Sequence, residues 1–269
     1  MTRPGHERPG HDQPGHDRSE ARRARPSFRP TLWPSLITLP TLVALIALGL
    51  WQLERLEWKE SLIEERQDRS QAPAVELPED LSQPLGLEFQ AVRVGGHFLH
   101  ERELYLAART FDGRVGLHVV TPFALDDGRI LLVDRGWIPD DRRDPASRPE
   151  GQVPGDVVLA GLLRRPGWRG LTWLEPDNQP EENIWFWVEP AAMAAAAGLG
   201  PEAGALIGEV YLDAGPAENP GGWPVGGRTP IELANDHLQY ALTWFALALA
   251  LAAIYVIYHL RRDTEGEAP

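Results

Sequence analysis

The sequence predicts an integral membrane protein in which two transmembrane α-helices flank one extracytoplasmic β-rich domain, barrel-like or sandwich-like, with one short helix. Three observations predict it. Thr31 to Leu53 and Leu238 to Tyr258 contain no Asp, Glu, Lys or Arg, and each run is about 20 residues, enough to cross roughly 30 Å of hydrocarbon as a helix. Between them, short runs rich in Val, Leu, Ile and aromatics alternate with Gly, Pro and Asp, the pattern of strands and turns. The charge is also uneven: the formal net charge of -13 is concentrated in the segment between the two runs.

The first 30 residues repeat Pro-Gly-His followed by a charged or polar pair. Proline and glycine at that density neither form a helix nor bury a core, so residues 1–30 read as a disordered cytoplasmic tail. His6, His11 and His16 read as solvated histidines. Residues 31–53 form the first span, bracketed by Trp33 and Trp51 at the depth aromatic rings favour. A cleaved signal peptide, with Arg22 and Arg23 as a twin-arginine pair, is the rival reading; the long apolar run and the absence of a polar cleavage region favour an uncleaved anchor. Residues 54–70 continue outward as an amphipathic stalk with Glu/Arg pairs at helical spacing, and Pro73, Pro78 and Pro84 end it.

Residues 71–236 form the β-rich domain, with strands expected in AVRVGGHF, RELYLAAR, GLHVVTPFAL, RILLVDRGWIP, DVVLAGLLRR, NIWFWVEP and LIGEVYLDAG. Asp126 to Arg129 read as a hairpin turn, since Asp-Gly suits positive φ. The short helix starts at Pro190 in PAAMAAAAGL. A Gly- and Pro-rich approach then leads to Asn235 and Asp236, either of which can cap the second span, residues 237–258. Residues 259–269 form a second tail.

Charge sets the orientation. Residues 1–30 hold seven Arg against four acids, while the segment from Glu54 to Asp236 has a net charge of -15. Arg18, Arg22, Arg23, Arg25 and Arg29 precede the first span and Arg261 and Arg262 follow the second, which places both termini in the cytoplasm. The chain thus reads as a multi-pass protein of a bacterial inner membrane with a periplasmic loop. It has no cysteine, which excludes disulfides and thiol redox chemistry. The acidic loop disfavours nucleic acid. No phosphate-binding loop, His-Glu-x-x-His or Gly-x-Ser-x-Gly occurs.

One constellation carries chemistry. At about 100° per residue, His237, Tyr240, Ala241, Trp244 and Ala248 share a face of the second helix. That face offers an imidazole, two aromatic plates and small residues, a shelf for a flat, half-apolar ligand such as haem, with His237 on the iron. An aromatic belt with helix packing gives the same pattern, and both readings stay open on the residues alone. Gln52 and Arg55 close the first span at the same level, so Arg55 faces a propionate if haem is present. His259 lies 22 residues beyond His237, roughly 33 Å along the helix, and reads as an interfacial residue; His97, His100 and His118 read as strand and turn histidines.

Four stretches, GLWQLERLEWKESLI, GLHVVTPFALDDGRILLVDRGWIP, PDNQPEENIWFWVEP and GGRTPIELANDHLQYALTWF, run in order from Gly49 to Phe245. On these the chain resembles the Surfeit locus protein 1 family of cytochrome c oxidase assembly factors. The resemblance implies a non-enzymatic chaperone of respiratory-chain biogenesis that binds haem a and assists its insertion into oxidase subunit I, with haem a synthase as a further partner. It implies a haem ligand at His237, with Tyr240 and Trp244 beside it. The alternative within that family is a cofactor-free membrane scaffold that stabilises an oxidase intermediate. Arg135, Gly136 and Trp137 match a family motif that reads equally as core and turn or as a binding contact.

Overall fold

The computed structural model describes residues 30–200, 204–231 and 233–265; the expected tail over residues 1–30 and its histidines lie outside them apart from Pro30. Two apolar helices flank a mixed β-sheet domain. Helix α1 (Leu32–Gln71) is continuous from the first apolar run through the amphipathic stretch and ends two residues before Pro73. Helix α4 (His237–Glu265), which follows two short helices, α2 (Pro84–Leu87) and α3 (Pro190–Ala196), begins at the histidine and runs past Tyr258. Both are long and apolar enough to cross a membrane. Ile37, Val43, Leu50, Leu242, Leu249 and Ile254 are exposed, so the apolar surface of these helices is not covered within the chain, as that of a core helix is.

The apolar part of α1, together with α4, forms one unit, and residues 55–235 form the other. In the first, the helix seam is built from small and polar residues. Gly49 and Gln52 are the buried residues of α1, and Ala241 and Ala248 are buried on α4. A Cβ at Gly49 would fall 2.5 Å from Phe245 Cε1, so only glycine lets the ring lie there.

In the second unit the strands are β1 (Val75–Glu76), β2 (Ala91–Phe98), β3 (Leu104–Phe111), β4 (Arg114–Leu125), β5 (Arg129–Pro139), β6 (Val157–Arg164), β7 (Ala205–Leu206) and β8 (Tyr211–Ala214). They pair in the order β1-β2-β6-β8-β5-β4-β3, and β2 also pairs β4. That extra pairing closes β2, β6, β8, β5 and β4 into a ring, so of barrel and sandwich the structure has the barrel. β5 lies at the centre, antiparallel to β4 and parallel to β7 and β8. Its period-2 alternation sends Leu131 and Val133 into one apolar cluster with Val92, Phe123, Leu163 and Leu212. Leu132 enters a second cluster, with Leu106, Trp185 and Met193. Met193 comes from the expected short helix, α3 (Pro190–Ala196), which therefore covers the far side of the strand.

Two expected strands are corrected. NIWFWVEP forms only isolated bridges, Leu106 to Trp185 and Gln179 to Ile184. The Trp185 N–H donates to Tyr105 C=O and its C=O accepts from Ala107, but the chain then turns away. The Asn178 side-chain oxygen accepts from the Phe186 N–H at 2.9 Å, replacing the ladder. The large side chains made this segment resemble a strand; they serve instead to anchor a loop through Trp185, fully buried. LIGEVYLDAG is not one strand either. It splits into β7 and β8, because Ile207 and Val210 both turn into the barrel cluster, a burial that strand alternation with an odd spacing does not allow.

The hairpin between β4 and β5 falls where Asp126–Arg129 places it. Gly128 takes φ +87°, and the Asp127 carboxylate accepts from the Arg129 N–H at 2.9 Å, an Asx-type closure.

Candidate functional site

His237 opens α4, where the Tyr240 N–H donates to the Asp236 C=O and closes the first turn. Asn235 Oδ1 is buried without a hydrogen-bond partner, so Asn235 does not cap the helix with that oxygen. The imidazole is half-buried, and its Nδ1 lies 2.7 Å from Gln52 Oε1 of α1. An amide oxygen only accepts, so Nδ1 carries a proton, and in the neutral ring the lone pair is then on Nε2. Nε2 has no partner among the described residues. Metal-bound histidines are characteristically held this way, with the far ring nitrogen fixed by an oxygen acceptor.

Tyr240 is 55% exposed, one turn along, while Trp244 is half-buried with its Nε1–H lacking a partner. Ala241 and Ala248, which share the histidine's face in a helical projection, are buried. The face is therefore divided: the small residues belong to the helix seam, and the imidazole and the two aromatic plates border what is left. Arg55, one turn beyond Gln52 on α1, is exposed, and its guanidinium carbon stacks 4.1 Å over the Trp58 ring. It has no ion pair among the described residues.

At the other end of α4, His259 is spoken for. Its Nε2 accepts from the Thr31 N–H at 3.1 Å and its Nδ1 donates to Tyr255 C=O at 2.8 Å, and it is 1% exposed. It is a buried junction between the two helices. Ser35 and Tyr255 join hydroxyls one turn away at 2.5 Å.

In the barrel, Arg135 and Trp137 of the Arg135-Gly136-Trp137 motif are buried. Arg135 and Arg148 pair with Glu103, all three buried, and Gln152 donates to the same carboxylate at 3.0 Å. Burial alone would raise the Glu103 carboxyl, but hydrogen bonds from His100 and Arg148 outweigh it and hold it at about 2. Gly136 has φ +118°, and a Cβ there would collide with the Val225 carbonyl; Trp137 and Val225 exchange backbone hydrogen bonds. Trp137 is 1% exposed.

Sequence reading placed Gln52 at the right depth but not in contact with His237, 185 positions away. It also missed two pairings in the barrel. His118 Nδ1 lies 2.8 Å from Asp134 Oδ2, and Arg164 Nη1 donates to Asp213 Oδ2 at 2.8 Å. The available signal was an acid inside each of two otherwise apolar strands, Asp134 in ILLVDRGW and Asp213 in VYLDAG.

Two apolar helices joined through a small-residue seam, with a five-strand ring built from the intervening chain, define a membrane-anchor-like helix pair carrying a single β-barrel domain. A family model described as SURF1 family matches residues 39–249. The chain is 37% identical over 230 residues to Surfeit locus protein 1 of Mus musculus, covering 80% of this chain and 72% of the mouse protein. It is 35% identical over 235 residues to Surfeit locus protein 1 of Homo sapiens, covering 81% and 75%. A SURF1-like protein of Monosiga brevicollis is 35% identical over 243 residues, covering 86% and 88%. The chain belongs to the SURF1 family.

Proposed function

We propose that the chain crosses a bacterial inner membrane twice, with both termini cytoplasmic and the barrel periplasmic, and serves as an assembly factor for haem-copper cytochrome c oxidase. In this reading it holds haem a through His237 and assists its insertion into subunit I. The observation that carries the haem assignment is the His237–Gln52 hydrogen bond, which leaves Nε2 as an unshared donor at the helix end. The orphaned Trp244 Nε1–H supports the fit, since a buried donor without an acceptor is costly and an acceptor on a ligand satisfies it.

His237 would hold the haem through its imidazole, and the haem would supply an iron that accepts a nitrogen ligand. Gln52 keeps the His237 proton on Nδ1 and the ring in one orientation. Tyr240, exposed beside it, offers a plate against an apolar macrocycle. Arg55 is the cation assigned to a propionate. The exposed Leu242, Leu249 and Ile254 favour a second role as a surface for oxidase or haem a synthase helices, and that role alone is the scaffold reading.

Complementation of a strain lacking the gene separates the two. For haem delivery, the parent restores haem a in the oxidase while His237→Ala co-purifies with subunit I that is low in haem. Full haem content with His237→Ala contradicts delivery through His237 and leaves the scaffold.

A further inference from the structure

The barrel unit has a cavity of about 420 Å³, lined by residues of that unit alone and within the range of small-molecule sites, about 300–1,000 Å³. One wall is aromatic, with Trp168, Phe186 and Trp187. The lining also includes charged side chains. There His118 is matched to Asp134 and Arg164 to Asp213, and Arg169 pairs with Glu88. Arg109 and Arg228 also line the cavity and have no carboxylate partner among the described residues. Arg109 donates only to the Phe186 C=O, at 3.1 Å, and Arg228 stacks 4.0 Å over Phe111. In a segment of net charge -15, a cavity with two uncompensated guanidinium groups is a local inversion of sign.

Arg164, whose Nη1 is bonded to Asp213, also faces Glu88 with its Nε at 3.6 Å, so the cations matched in the cavity are those of the barrel wall. A cavity with two unmatched guanidinium groups beside aromatic side chains has the features of a site for a flat anion.

We propose that this cavity binds a small aromatic carboxylate, its anion on Arg228 and Arg109 and its ring against Trp168 and Trp187. Planar guanidinium groups suit a carboxylate, and the indole and phenyl walls suit a ring. The site is independent of His237 and of any haem reading.

Ligand-observed fluorine NMR of the full chain in detergent tests it, with 4-fluorobenzoate as probe and 4-fluorobenzyl alcohol as its neutral counterpart. Saturable binding of the benzoate is expected, beyond that in empty micelles and tighter than that of the alcohol. Arg228→Gln weakens it by about tenfold or more, the loss of one charge-assisted hydrogen bond. Asp213→Asn, which removes a negative charge from the wall, tightens it or leaves it unchanged, while Arg93→Gln on the exposed side of β2 has no effect. Circular dichroism confirms that each variant is folded. Equal affinity for the alcohol, binding no greater than in empty micelles, undiminished binding by folded Arg228→Gln, or weakening by Asp213→Asn would each overturn the proposal. Should Arg228→Gln fail to fold, the comparison of alcohol with benzoate and the sign of the Asp213→Asn change decide it.

Discussion

His237 and His259 stand on one helix and differ in what their ring nitrogens do. His259 has both engaged, by Thr31 and by the Tyr255 carbonyl; His237 has Nδ1 engaged by Gln52 and Nε2 unshared. A count of histidines near apolar segments treats them alike, and only the hydrogen bonds separate the ring with an unshared nitrogen from the one that joins the helices. The same scale governs the buried Glu103 cluster. Glu103→Ala leaves Arg135 and Arg148 buried without their anion, and breaking such a pair costs about 3–5 kcal/mol. Chemical denaturation of the full chain in detergent is expected to show a loss of that order; a loss below about 1 kcal/mol would mean the guanidinium groups find water or another partner.

At the scale of elements, the strands that could be read from the sequence are those with both periodicity and punctuation. β2 and β5 coincide with AVRVGGHF and RILLVDRGWIP because the alternation of β2 and the nearly continuous apolar run of β5 each end at turns on either side. Residues 183–190 have strand-like composition but anchor a loop, since the fate of Trp185 is decided by the cluster around Leu106 and Met193 and not by its neighbours in sequence. Ring closure between β2 and β4 is likewise a long-range event, with Gly96 opposite Leu125. The candidate site was legible to the same extent: His237, Tyr240 and Trp244 follow from helical spacing, but Gln52 as a partner requires the fold. The helix seam makes its own prediction. Gly49→Val places methyl groups where the Phe245 ring lies, and overpacking of this kind costs about 1–3 kcal/mol. The thermal midpoint of the variant is therefore expected to fall, and Phe245→Ala in the same chain to recover part of the loss; a parent-like midpoint for Gly49→Val alone contradicts close packing at that position.

For the whole molecule, the titrating groups of the barrel set how stability varies with pH. Burial and the neighbouring Asp134 push the Asp213 carboxyl up to about 6. The folded state thus holds a proton the unfolded chain has released, and stability falls as pH rises from about 3.9 through about 6. His118 shifts in the same sense: burial opposes its charge, but Asp134 outweighs burial and raises its pKa. That contribution is full below about 6.5 and is lost as pH rises through the folded value. Glu103 works in the opposite direction, and its contribution, present above about 4.3, is lost only as pH falls towards 2. The thermal midpoint is expected to be higher near pH 5.5 than at pH 8, with Asp213→Asn flattening the slope; a midpoint that climbs between those pH values contradicts the assignment.

The central claim concerns one atom, His237 Nε2, and is tested by the absorption spectrum and haem content of the full-length protein purified from cells that make haem a. The parent is expected to carry haem with an axial-histidine spectrum, His237→Ala to lose it while remaining folded, and Gln52→Leu to retain the spectrum with affinity about 10–100-fold weaker. A folded His237→Ala protein with the parent's haem content and spectrum would contradict the claim.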